Sequence, residues 1–148
     1  MISKLFRSFT AGEESAKLAA HRGEVEFALV LVEAASDQQL EHTIASVTAA
    51  AEGYGGTVLQ ILGSLILVGF SGVLGAGEQP QRNEFVAQVC SSLRVFVKVL
   101  HGRSAALVGT VGSDTRLAYT VIPEHFSALI GRFKDLAPGQ ALDITSPG

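Results

Sequence analysis

Residues 53–70 read Gly53-Tyr54-Gly55-Gly56-Thr57-Val58-Leu59-Gln60-Ile61-Leu62-Gly63-Ser64-Leu65-Ile66-Leu67-Val68-Gly69-Phe70. Two runs rich in Leu, Ile and Val meet at Gly63-Ser64, a glycine-rich bend precedes them, and no charged side chain interrupts them. That pattern predicts a buried β-hairpin. The uncharged region continues to Gly77 and is long enough to cross a bilayer as a helix. Its Gly55-Gly56, Gly63-Ser64 and Ser71-Gly72 pairs cut it into strand-length pieces, so two buried strands account for it better than one span.

Upstream, Val25 to Glu33 is apolar on both faces and predicts a central strand. Asp37 to Glu52 places Leu40, Ile44, Val47 and Ala51 at intervals of three and four, with Ser36 as N-cap and Gly53 past the end, which predicts a helix lying on the sheet. Downstream, a loop from Gly72 to Arg82 leads to a helix over Asn83 to Leu93, with Phe85, Val86, Val89 and Cys90 on its apolar side. Strands are expected over Arg94 to Leu100, Ser104 to Thr110 and Arg116 to Ile122, the last two flanking the turn Gly112-Ser113-Asp114. Pro123 opens a helix through Phe133, and a strand over Ala141 to Ile144 follows the Pro138-Gly139 turn. The order β-α-β-β-α-β-(ββ)-α-β predicts an α+β ferredoxin-like sandwich with an added β-hairpin.

The chain has 148 residues, 47% of them hydrophobic, and fits one domain, since a domain of this size buries roughly 70% of its unfolded surface. A net charge of -3 and the lack of a Lys/Arg cluster interleaved with aromatics argue against a nucleic-acid partner. The lone Cys90 excludes an internal disulfide and reads as a buried thiol rather than a nucleophile. His21, His42, His101 and His125 have no metal-ligand spacing, and Gly109 to Gly112 is no phosphate loop because no Lys-Ser/Thr follows. Met1 to Arg22 lacks the apolar core of a signal peptide, so a cytoplasmic protein without a transmembrane segment is expected. Ile2, Leu5, Phe6 and Phe9 recur at helical spacing there. Residues 1–22 therefore read as an amphipathic arm ahead of a domain over 23–148, docked on that domain or a dimer mate, on a protein partner, or on an anionic surface.

Val108-Gly109-Thr110-Val111-Gly112-Ser113 and then Arg116-Leu117-Ala118-Tyr119-Thr120-Val121-Ile122 resemble the class III nucleotide cyclase segment in which a Gly-Asn-Val-Gly-Ser turn precedes Tyr-Thr-Val-Ile-Gly. The 53–70 hairpin is similar to the metal-binding hairpin of the same family, where glycine precedes a metal-ligating aspartate and a lysine stands four residues before it. The resemblance spans about residues 24–145 and implies a cyclase-homology fold. It further implies an active site at a dimer interface, where one partner supplies two aspartates for metal ions. The other supplies a base-reading lysine, a base-reading Asp or Thr, an Asn, and an Arg for the transition state.

Carried onto this chain, the resemblance puts Glu33 at the first aspartate and Ser64 at the second. One carboxylate and a neutral hydroxyl form a poor site for hard cations. Gln60 replaces the lysine without its charge, while Thr120 matches the base-reading position of many bacterial members. Ser127 stands at the Asn position and Gly131 at the Arg position, and Arg132 lies one place on, about 100° around a helix. The resemblance thus implies a degenerate, non-catalytic cyclase-homology domain with no resident cofactor, acting in signalling as a dimerisation and regulatory interaction module that forms a homodimer; a second reading is a sensor that binds nucleotide around Gln60 and Thr120 without turnover. The alternative is a divergent adenylyl or guanylyl cyclase using Glu33, Arg132 or Arg103, with Mg or Mn.

Overall fold

The computed structural model describes residues 17–77, 79–113 and 116–145, and its sheet is organised around a strand that is apolar on both sides. That strand, β1 (Lys17–Val32), is followed by α1 (Asp37–Gly53), β2 (Thr57–Leu62), β3 (Leu65–Ser71), α2 (Arg82–Leu93), β4 (Val97–Ser113), β5 (Arg116–Pro123), α3 (Phe126–Gly131) and β6 (Ala141–Asp143). The sheet runs β2-β3-β1-β4-β5, with β6 parallel to the first part of β4 and every other pair antiparallel. It is the expected α+β sandwich with one strand fewer.

Alternation along β1 feeds two cores. Ala28, Val30 and Val32 face α1 and α2, where they meet Val47, Ala51, Phe85 and Val89, and the Phe70 and Phe85 rings lie 5.2 Å apart. Val25, Phe27 and Leu29 face the opposite way, onto Leu67, Leu100, Val108, Val121 and Phe133. Burying each of these large side chains contributes about 1.5–3 kcal/mol, and only a strand covered on both faces gains it at consecutive positions. Ser36 caps α1, its hydroxyl accepting from the Gln39 amide at 3.2 Å.

Five local expectations change. Lys17 to Arg22 belong to β1, because β1 pairs with β4 without interruption from Lys17↔Gly112 to Val32↔Val97. The arm's stripe of Ile2, Leu5, Phe6 and Phe9 lies outside the described residues. Arg94 to Phe96 form a 3-10 turn rather than strand, since the chain reverses there with Arg94 at φ 36°. From Val97, β4 continues through Gly102, whose missing side chain is required by a close approach: a Cβ would stand 2.8 Å from the Thr145 amide.

The other changes concern the hairpin and the last helix. In the opening hairpin β3 is buried, but Gln60, Ile61 and Leu62 are exposed because β2 is the edge strand. Pro123 ends β5, where an edge strand tolerates its missing N–H. The helix starts only at Phe126 and gives way to a second 3-10 turn, Arg132–Asp135. No helix among the described residues is long and apolar enough to cross a membrane.

Candidate nucleotide site

The end of β1 and the tip of the β2–β3 hairpin are joined through the backbone. The Val32 amide donates to the Ser64 carbonyl at 2.7 Å, and the Glu33 amide donates to the Phe96 carbonyl at 2.7 Å. Gly63 supplies the positive φ, 62°, that the two-residue turn requires. These bonds bring Glu33 and Ser64 to one cleft of about 620 Å³, shared with Ala34, Ser36, Asp37 and Leu40 at the start of α1. The two positions matched to metal ligands therefore do converge. Opposite Leu31 on β4 stands Lys98, one diagonal step from Glu33, and its Nζ lies 3.5 Å from Glu33 Oε1. Lys98 is 14% exposed and Glu33 43%, so the ammonium is held against the fold and the carboxylate comes to it.

Gln60 reaches a different surface. A register shift between Val58 and Gln60 sets Gln60 opposite Leu67, on the sheet face away from α1 and α2. There it borders an apolar pocket of about 210 Å³ lined by Leu29, Leu62, Leu65, Leu67, Val121, Ile122 and Phe126. Thr120 pairs with Gly109 in the β4–β5 ladder, and its side chain lies outside the described residues. Its neighbours Val121 and Ile122 nevertheless border the same pocket as Gln60, so the Gln60 and Thr120 segments meet there. Ser127 follows Phe126 on α3 and is exposed. Gly131 is exposed with open space where a Cβ would sit. Arg132 is exposed and borders neither the cleft nor the pocket.

No protein-family model and no curated protein matches the chain. Solved structures do. The adenylyl cyclase CyaB from P. aeruginosa superposes with a TM-score of 0.57 at 16% identity over 85% of this chain and 79% of that one. The catalytic core of a rhodopsin-guanylyl cyclase with converted specificity, in complex with ATPαS, gives 0.66 at 10% identity over 86% and 80%. The dimeric guanylyl cyclase domain of the RhoGC fusion protein from the aquatic fungus Blastocladiella emersonii gives 0.64 at 10% over 85% and 81%. The chain has the fold of a nucleotide cyclase catalytic domain.

A cyclase fold implies divalent metal ions, and the donor set at Glu33 does not fit them. Its carboxylate faces the Lys98 ammonium, Ser64 offers a neutral hydroxyl, and the described residues contain no cluster of three His, Cys, Asp or Glu able to hold a metal. Arg103, the other candidate guanidinium, is engaged elsewhere, 3.1 Å from Glu26 and 3.6 Å from Glu24.

Sequence reading passed over two features. Lys98 gave no signal beyond its place in the alternation of β4, and its partner is visible only when β1 and β4 are aligned. A second polar cluster joins α2, β1, β4 and β6: Arg82 donates to His101 at 3.1 Å and lies 3.5 Å from Glu26 and 3.3 Å from Asp143. Burial, reinforced by the Arg82 guanidinium, pushes the His101 imidazole below its ordinary value against the opposing pull of Asp143 and Glu26. Hydrogen bonding from Thr145 holds the Asp143 carboxyl below its ordinary range. These four elements are clamped by charge around one buried histidine.

Proposed function

We propose that this chain is a non-catalytic cyclase-homology domain acting as a dimerisation and regulatory interaction module. The observation that carries the reading is the Lys98–Glu33 pair beside Ser64. Phosphoryl-transfer chemistry in a two-metal site needs carboxylates free to hold cations against phosphate oxygens. Here the Glu33 carboxylate is paired with Lys98 of its own fold, and the cleft's other carboxylate, Asp37, belongs to the first turn of α1. Gly131 and the solvent-facing Arg132 supply no guanidinium aimed at developing charge. The surface for pairing is the face around Gln60, Leu62 and Leu65, where Leu62 is 55% exposed and the pocket stays open among apolar residues. The guanylyl cyclase domain of RhoGC, which is similar in fold, forms a non-canonical dimer.

Nucleotide binding without turnover is favoured by one further observation, the Gln60 amide at the mouth of the apolar pocket. An amide can pair with a base edge while leucines cover the ring faces. Purified protein is incubated with ATP or GTP and Mn²⁺, and cyclic nucleotide is quantified. None is expected; product that disappears in Glu33→Ala would establish a divergent cyclase instead. Sedimentation tests the pairing, and a strict monomer at high micromolar concentration would remove the homodimer. Calorimetry with nucleotides tests binding, and no heat up to millimolar concentration would restrict the function to protein contacts.

A further inference from the structure

We infer that His101 latches the closing strand β6 and lets it go when the imidazole takes up a proton. β6 has little of its own to hold it: it is three residues long, Ala141 and Asp143 are exposed, and only Leu142 turns partly into the core. Beyond its short ladder with Val99–His101, the Val99 amide donates to the Gln140 carbonyl at 3.1 Å and the Ile144 amide donates to the His101 carbonyl at 2.7 Å. A short, exposed strand of this kind sits at the low end of local stability. Polar contacts around His101 fasten its far end. Asp143 lies 3.3 Å from Arg82 Nη2, Arg82 Nη1 lies 3.5 Å from Glu26, and Arg82 Nε donates to His101 Nδ1 at 3.1 Å. The Thr145 hydroxyl donates to Asp143 at 2.5 Å and accepts from the Arg103 amide at 3.1 Å. The charged groups facing the imidazole are therefore Arg82 from α2, Glu26 from β1 and Asp143 from β6, with Arg103 of β4 and Glu24 of β1 paired behind Glu26.

The geometry makes this junction sensitive to one proton. With Nδ1 accepting from Arg82, the neutral ring carries its hydrogen on Nε2. A proton added at Nδ1 replaces the lone pair by an N–H and sets two donors, each positively charged, 3.1 Å apart. The guanidinium and the imidazolium must separate, and that guanidinium is what joins Asp143 of β6 to Glu26 of β1. His101 is buried, so hydrating its charged form requires an opening. β1 covers β4 along sixteen paired residues and β6 along three, so β6 is the cover that leaves. Burial and Arg82 lower the affinity of the closed state for the proton, whereas the opened imidazole takes it up near pH 6.5. Below that value the open form binds more protons, and opening is favoured as pH falls. Release uncovers the outer edge of β4 over Val99–His101, because β5 pairs with β4 only from Ala106 onward. The latch stands independently of the pairing and nucleotide readings above.

Amide hydrogen exchange in the full chain, read by NMR, tests it. Protection of the Val99 and Ile144 amides, corrected for intrinsic exchange rates, should fall about tenfold from pH 7.5 to 5.0, below the ceiling of about thirtyfold for a group that titrates at 6.5 when open. Amides of the β1–β3 ladder, on the other side of the sheet, should keep their protection. His101→Gln offers Arg82 an acceptor that cannot titrate, and it should remove the change at Val99 and Ile144. Equal loss in both regions, no loss at pH 5.0, or the same loss in His101→Gln would each overturn the latch. A reading on the unaltered chain needs no variant: the His101 ring carbons should titrate below pH 6.5, and a midpoint at or above that value would overturn it as well.

Discussion

Arg82 donates from Nε to Nδ1 of His101 at 3.1 Å, which fixes the buried imidazole as a neutral acceptor at the junction of α2, β1, β4 and β6. The arrangement makes stability depend on acid. The unfolded imidazole takes up its proton near pH 6.5 and the native one only at lower pH, so below about 6.5 the unfolded state binds more protons. Stability is fully present above that value and falls as pH drops towards the native pKa. Urea midpoints measured from pH 7.5 to 5.0 should decline, and His101→Gln, which keeps an acceptor but cannot titrate, should flatten the decline. Asp143 adds a second loss further down, starting below its ordinary value of 3.8, because its folded-state pKa is depressed.

Lys98 pairs with Glu33 in the cleft that Ser64 shares, and this pairing is expected to weaken metal binding there. Replacing Lys98 by Met removes the competing ammonium, and Ser64→Asp adds a carboxylate at the hairpin tip, beside Glu33 and Asp37 in the same cleft. Calorimetry with Mn²⁺ should detect binding in the Lys98→Met/Ser64→Asp double variant at least tenfold tighter than in the unaltered chain. Ser64→Asp alone should gain less, with Lys98 still at 3.5 Å from Glu33. Equal Mn²⁺ affinity in all three proteins would show that the Lys98 pair has no influence on the cleft.

Arg94 occupies φ 36° and ψ -106° at the end of α2, a conformation that suits glycine. Strain of this kind costs about 1–3 kcal/mol, and glycine's extra freedom in the unfolded chain returns part of it. Arg94→Gly should stabilise by about 1 kcal/mol in a denaturant titration, although the exposed bond from Arg94 Nε to the Ser91 carbonyl is lost. A destabilised variant would mean that bond outweighs the strain.

Two glycines should respond in opposite ways to substitution. At Gly72, with φ 75°, a Cβ would stand 2.3 Å from the Glu24 carbonyl oxygen, so Gly72→Ala should lose about 2–3 kcal/mol of unfolding free energy. At Gly131 nothing lies within 4 Å and φ is -62°, so Gly131→Arg should change stability by less than about 0.5 kcal/mol. The arginine position of the cyclase pattern is thus open in space, and the variant separates the cost of the residue from any catalytic effect.

Much of the fold was legible because its signals are local. The two-sided apolar pattern of Val25 to Val32, the Ser36 cap, the helix stripes and the Gly63-Ser64 turn each follow from residues close in sequence. The errors fell where a neighbour distant in sequence decides. The run from Lys17 to Arg22 reads as an arm until β4 is laid beside it, and Gly102 reads as a break until Thr145 is seen against it. Gln60 reads as a buried hairpin residue until the shift at Val58 and the edge position of β2 turn it outward.

At the site the same division holds. Sequence alone determined the chemical identity of the residues that the cyclase resemblance points to, since a side chain's identity is independent of its surroundings: Glu33, Ser64, Gln60, Ser127 and Gly131. Only the tertiary structure decided that Glu33 and Ser64 share a cleft, that Lys98 faces Glu33, and that Gln60 opens onto leucines. The reason is physical: charge and hydrogen bonding act over a few ångströms, and the register of β1 against β3 and β4 sets which residues come that close.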